Sequence, residues 1–179
     1  MVDNTQLESH HGVLMRIADT GVLIIGPAGI GKSSLALELI SQGHSLIADD
    51  VVEFSQHSNT VIGHCPPLLE GLLHTRELGL ISIPAVFGKA SWQKQCSLNV
   101  VVALQSSFTP NSALTVEEKV YIVQSRTFPL LTVSTDNPAS LSHRIQCWLK
   151  MQAQKNTAEH DLKQRQKTLI SSINHRELS

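Results

Sequence analysis

Two short apolar runs, Gly12-Val-Leu-Met-Arg-Ile-Ala18 and Gly21-Val-Leu-Ile-Ile25, stand on either side of the polar pair Asp19-Thr20. Runs of this length, rich in strand-forming residues and broken by a turn pair, predict a β-hairpin. The period then changes. Leu35, Ala36, Leu39 and Ile40 form a stripe that predicts a helix over Lys32–Gln42, and Gly43 stands where a C-terminal cap belongs. Ser45-Leu-Ile-Ala48 predicts a short buried strand ending at Asp49-Asp50, and Thr60-Val-Ile-Gly63 another. Pro66 to Leu73 predicts a turn leading into a short helix, followed by a strand over Leu78–Ile83. Leu98 to Leu104 is the clearest central strand of the second half, with shorter ones at Tyr121–Val123 and Leu130–Val133. From about Pro138 the pattern is helical, with Leu141, Ile145 and Leu149 four apart and Trp148 beside them. The last ~25 residues are polar with sparse Leu and Ile, a docked helix or a frayed tail.

Composition narrows the picture little. A chain of 179 residues, 41% hydrophobic and 16% charged, suits one domain that buries its own core without disulfides or a structural metal. A net charge of −1 gives no argument for a nucleic-acid partner, although seven of the 14 Lys and Arg residues lie from Arg144 onward. That bias reads as a solvated helix face before it reads as an anion-binding tail. Cys65, Cys96 and Cys147 are widely spaced and fit no zinc or CxxC pattern, which suits a reducing compartment. The first residues lack the basic and apolar regions of a secretory signal, and no apolar run approaches the ~20 residues that span a bilayer. The expectation is a cytoplasmic protein with no membrane partner.

The chemistry concentrates in one segment. Gly26, Pro27, Ala28, Gly29, Ile30, Gly31, Lys32 and Ser33 form a GxxxxGK[ST] loop, with Ser34 following. Its glycines let successive N–H groups turn inward on phosphate oxygens, and the helix opening at Lys32 offers its unpaired N–H groups to the same anion. Lys32 would reach the β and γ phosphates and the Ser33 hydroxyl would ligate Mg²⁺. The preceding strand and following helix supply the context this mechanism requires. Such a loop serves kinases, GTPases, motors and nucleotide sensors alike. One helix later comes Asp49-Asp50, whose side chains would point to opposite faces of a regular strand. Unless the strand ends between them, only one can face the site. One acid could ligate metal through water while the other works on a substrate proton; solvated strand-end acids are the alternative.

From His11 to Phe54 the chain resembles the catalytic domain of HPr kinase/phosphorylase. The resemblance rests on His11-Gly-Val-Leu14, the loop Gly26 to Ser33, Ala36-Leu-Glu-Leu39, Gly43-His44 and Ala48-Asp-Asp50, and continues through Cys65-Pro-Pro-Leu68 and Leu78-Gly-Leu-Ile81 to Phe87-Gly88. It implies a P-loop-containing mixed α/β sheet related to the nucleotide domain of phosphoenolpyruvate carboxykinase, with C-terminal helices. The catalytic domain would span residues 10–150, with a helical tail over 151–179. Only ten residues precede His11, which corresponds to short members without the N-terminal domain. The implied activity is ATP- and Mg²⁺-dependent phosphorylation of a serine of the phosphocarrier protein HPr, with phosphorolysis of the product, in a homo-oligomer, commonly a hexamer.

By the same resemblance Asp50 is the base, with His11 and Lys32 beside it as active-site residues. Ser33 ligates Mg²⁺ and His74 occupies the position of a metal-binding Glu, while the acid pair by itself makes Asp49 a further candidate ligand. The substrate-loop signature Leu-Glu-(Ile/Val)-Arg-Gly-Leu-Gly reads Leu73-His-Thr-Arg-Glu-Leu-Gly79 here, and the Pro-Val-x-Pro-Gly-Arg loop tied to dephosphorylation reads Val133-Ser-Thr-Asp-Asn-Pro138. A catalytic Arg of the family has no counterpart. These changes imply a nucleotide site kept intact and a weakened phosphorolysis side. Two other readings stay open: a kinase of another protein or small hydroxyl compound, and an ATP-binding regulatory module without catalysis.

Overall fold

The computed structural model describes residues 7–107, 118–154 and 158–176. Strands β2 (Val13–Ile17) and β3 (Thr20–Ile25) form the expected hairpin in antiparallel register. Its turn is one residue earlier than expected. Ile17 pairs Thr20, so Ala18 and Asp19 make the bend, with Ala18 at φ 52. Helix α1 (Lys32–Ser41) follows the phosphate loop, then β4 (Ser45–Ala48). With β10 (Val100–Gln105), β11 (Lys119–Val123) and β12 (Arg126–Ser134), these strands build a six-stranded mixed sheet in the order β11-β12-β10-β3-β2-β4. Its central strand β3 runs parallel to β10 and antiparallel to β2. That explains the unbroken apolar run, because both faces of β3 are covered.

Alternation along the strands separates two cores. Val22, Ile24, Val100 and Val102 face α1 and α3 (Leu141–Gln154), joined there by Leu35, Ala36, Leu39 and Ile145. Leu14, Leu23 and Val101 face the other way, toward a second, antiparallel sheet of four strands. That sheet runs in the order of β1 (Glu8–His11), β5 (Val51–His57), β6 (Thr60–His64) and β9 (Gln95–Ser97). A third element, the two-stranded hairpin β7 (Leu72–Thr75) and β8 (Gly79–Ser82), packs on α1 through Leu73, which is fully buried. The chain is thus a stack of helices, mixed sheet and antiparallel sheet, each interface buried on period-2 positions.

Several expectations need correction. The short helix expected after Pro66 is a single 3₁₀ turn over Pro67–Leu69, and Leu72 onward is strand. Leu73 has to enter the core beside α1, and pairing with β8 satisfies the backbone that this burial removes from water. Strands β1, β5 and β9 and the short helix α2 (Ile83–Phe87) had no expectation. The tail expected from residue 151 comprises the last turn of α3 and helix α4 (Ala158–Arg176), so α3 runs through the expected boundary at 150.

The chain passes between the two sheets twice in one place. Gly12 joins β1 to β2, Asp49-Asp50 joins β4 to β5, and the Gly12 N–H donates to the Asp50 carbonyl at 3.1 Å. A third close approach ties the sheets at Gly21, whose N–H donates to Asn99 Oδ1 at 2.8 Å while the Asn99 N–H donates back to its carbonyl at 2.9 Å. A Cβ at Gly21 would collide with the Ser97 carbonyl, which is backbone and cannot swing aside. Gly21→Ala should therefore destabilise the chain by about 2 kcal/mol, as overpacking does. Urea unfolding measures this, and an unchanged midpoint would mean that β9 yields without cost.

Candidate active site

The phosphate loop leaves β3 with Gly26 at φ 149 and Gly29 at φ 78, and Gly31 at φ 105 is the N-cap of α1. No side chain caps this helix and its first turn holds no acid, so its N–H groups face the loop interior without a competing anion. Lys32 is 8% exposed; its Nζ donates to the carbonyls of Gly26 at 2.9 Å and Pro27 at 3.1 Å, which hold the cation inside the loop. Ile30 turns the other way and packs on the core. Ala28, Gly29, Gly31, Lys32, Ser33 and Ser34 all line a cleft of ≈ 1100 Å³.

The two acids take different environments because β4 ends at Ala48, before either of them. Asp49 is 7% exposed. Its Oδ1 accepts from Ser33 Oγ at 3.0 Å and its Oδ2 from the His74 backbone N–H at 2.9 Å. Burial pushes its pKa above the ordinary 3.8, against the lowering effect of those hydrogen bonds. Asp50 sits at φ 71, a left-handed conformation that Asp tolerates better than most residues, and its side chain is 69% exposed. It faces His11, whose Nδ1 lies 3.2 Å from Asp50 Oδ1. Thus Asp49 belongs to the loop and Asp50 to the open cleft.

The structure brings His11, Lys32, Ser33, Ser34, Asp49, Asp50 and His74 together in one cleft. His74 enters differently from the expectation. It lies on β7, its imidazole is exposed, and it reaches Asp49 through its backbone N–H. Glu70 precedes the strand and lies 3.8 Å from Lys94, whereas Glu77 lines the cleft in the β7–β8 turn. The same turn brings the Arg76 guanidinium close against Gly29 of the phosphate loop, where a Cβ would push it aside. No sequence spacing points to that contact. Strand β5 was also missed, although it sets the His11–Asp50 pair by placing Val51 opposite His11; the apolar Val52 and Phe54, two apart, were its only signal.

An uncapped helix N-terminus, a lysine folded into a glycine loop and a buried Asp–Ser pair fit a nucleotide triphosphate with Mg²⁺. The hard oxygens of Ser33 and Asp49 suit that ion. These features define a phosphate-loop protein on a mixed α/β sheet. Residues 4–169 match the HPr Serine kinase C-terminal domain, and the chain belongs to that family. It is 53% identical over 95 residues to the HPr kinase/phosphorylase of Bordetella petrii, covering 52% of this chain and 31% of the relative. Against the HPr kinase/phosphorylase of Aromatoleum aromaticum it is 47% identical over 98 residues, covering 54% and 31%. The chain thus spans about a third of the length of the curated relatives it matches. The solved HPr(Ser) kinase/phosphatase of Coxiella burnetii superposes with a TM-score of 0.76 at 30% identity, covering 83% of this chain and 97% of that one.

Asp49 yields a pH prediction. Its pKa is higher folded than unfolded, so the folded chain holds the proton to higher pH. Its contribution therefore turns against folding as pH rises from 3.8 through the raised value. Asp49→Asn keeps both contacts if its oxygen accepts from His74 and its amide donates to Ser33. The variant should then lose this part of the pH dependence in urea unfolding above about pH 4, without nucleotide or Mg²⁺. It should also weaken Mg²⁺-dependent ATP binding. Parallel stability profiles for the two proteins would show that the Asp49 proton is not linked to folding.

Proposed function

We propose that this chain transfers the γ-phosphoryl group of ATP to a serine of HPr in the cytoplasm, assembled as a homo-oligomer, with residues 10–150 as its catalytic unit. The observation that carries the reading is the division of labour between adjacent acids: Asp49 buried against Ser33, Asp50 exposed across the cleft against His11. A nucleotide sensor needs the first but gains nothing from the second. Lys32 and the loop N–H groups hold the phosphates, Ser33 and Asp49 hold Mg²⁺, and Asp50 orients the acceptor hydroxyl and takes its proton. The ion supplies charge neutralisation to the transferring group. Purified chain incubated with labelled ATP and HPr of the same organism should yield phosphoserine; label confined to ATP and its hydrolysis products would sink the proposal. A kinase of another acceptor is the second reading. The rim of the cleft favours it, since His74 and Glu77 stand where the family carries Glu and Gly.

Asp50→Asn removes the base and keeps the shape. Transfer should fall by about 10²–10⁴-fold with ATP binding largely retained. If Asp49→Asn at saturating Mg²⁺ proves the more damaging change, the roles of the two acids are exchanged.

Phosphorolysis should be much slower than phosphorylation. Ser134–Pro138 replaces the Pro-Gly-Arg loop, and its first residues are engaged elsewhere. The Ser134 carbonyl accepts from Arg144 at 2.8 Å, and the Thr135 N–H donates to the Gln105 carbonyl at 2.8 Å. Comparable rates from phosphorylated HPr and inorganic phosphate would refute this asymmetry.

A further inference from the structure

We propose that His10, held by Glu8 and Tyr121, is a positioning residue that sets His11 against Asp50; the inference rests on the function proposed above. Strand β1 is only four residues long and lies at the edge of its sheet, paired on one side with β5. Alternation puts Ser9 and His11 on one face and Glu8 and His10 on the other. On the first face, His11 and Asp50 are mostly exposed, at 58% and 69%, so His11 is oriented chiefly by the strand that carries it. The second face is gripped. The His10 side chain is 14% exposed and stands edge-on to Phe54 and Tyr121, with ring centroids 5.5 and 5.7 Å away.

The hydrogen bonds form one connected network that converges on Glu8. With its proton on Nε2, the His10 ring donates to Glu8 Oε1 at 2.6 Å and accepts the Tyr121 hydroxyl at Nδ1 across 3.1 Å. Glu8 Oε2 accepts the Gln124 backbone N–H at 2.6 Å, and Gln124 Nε2 donates to the Phe54 carbonyl at 2.8 Å. Gln124 and Ser125, at φ 51 and 58, are the tight turn of the β11–β12 hairpin. The outer hairpin of the mixed sheet therefore clamps the edge strand of the antiparallel sheet at His10, two residues before the chain turns at Gly12. A reacting group displaced by about 1 Å can lose about a hundredfold in rate, so a clamp on β1 acts on chemistry through His11 without touching the substrate.

Two variants test the latch. Tyr121→Phe deletes one hydroxyl and keeps the ring; His10→Ala deletes the hub. Each should lower kcat for transfer to HPr by about 10- to 100-fold. KM for ATP should stay within about twofold, because the phosphate loop is untouched. In a His11→Ala background the same substitutions should cost nothing further, since the group they position is gone. Equal losses with and without His11, or a matching rise in KM for ATP, would overturn the proposal and leave a purely structural contact. If the wild-type chain does not phosphorylate HPr, the proposed function fails while the latch remains measurable by amide exchange at Gly12. Faster Gly12 exchange in Tyr121→Phe at unchanged Tm supports the latch, and unchanged protection refutes it.

Discussion

The site depends on a double crossing between two sheets. A strand can serve only the sheet that pairs it, so a residue between β4 and β5 must leave one ladder before it joins the next. Asp49 and Asp50 are that joint, and Gly12, joining β1 to β2, runs beside it with its N–H on the Asp50 carbonyl. The crossing resolves the geometric conflict of two adjacent acids. Released from strand alternation, Asp49 stays with the mixed sheet and the loop that β3 delivers. Asp50 turns through a positive φ into the open cleft, to face His11 from the antiparallel sheet. Backbone strain concentrated at such a joint is what functional sites characteristically retain.

What the sequence disclosed and what it withheld divide along this joint. Local features were legible: the glycine loop, the period-3.6 stripe of α1 and the unbroken apolar run of β3 each carry their own signal. Family motifs then pointed to His11, Lys32, Ser33 and Asp50, and the structure gathers them in one cleft. Strand β5 escaped because its alternation covers only Val51–Phe54 and then breaks at Ser55, too short a pattern to stand out. The latch at His10 was invisible for a different reason, since Tyr121 and Gln124, which close it, lie 111 residues from His10 and 116 from Glu8 along the chain. The helix expected before His74 failed where pairing overrode local preference: Leu73 is needed in the core, and a two-stranded hairpin is the shortest device that buries it with its backbone satisfied.

The departure from the family pattern at position 74 has a physical reading. The group that fixes Asp49 is the backbone N–H of residue 74, which any residue but proline supplies. Replacing an acid there by His74 leaves the orientation of Asp49 intact and removes only an anionic oxygen from the cleft. Among the described residues no group of three His, Cys, Asp or Glu side chains is placed to hold a metal ion. In the function proposed above a magnesium ion would draw on Asp49, whose two oxygens are engaged by Ser33 and the His74 N–H. A divalent ion would have to compete with the Ser33 hydroxyl for one of them, or take both together. Burial has raised the pKa of that carboxyl, and a cation beside it favours the charged form again. A cation bound beside Asp49 would therefore work against the effect of burial on this carboxyl.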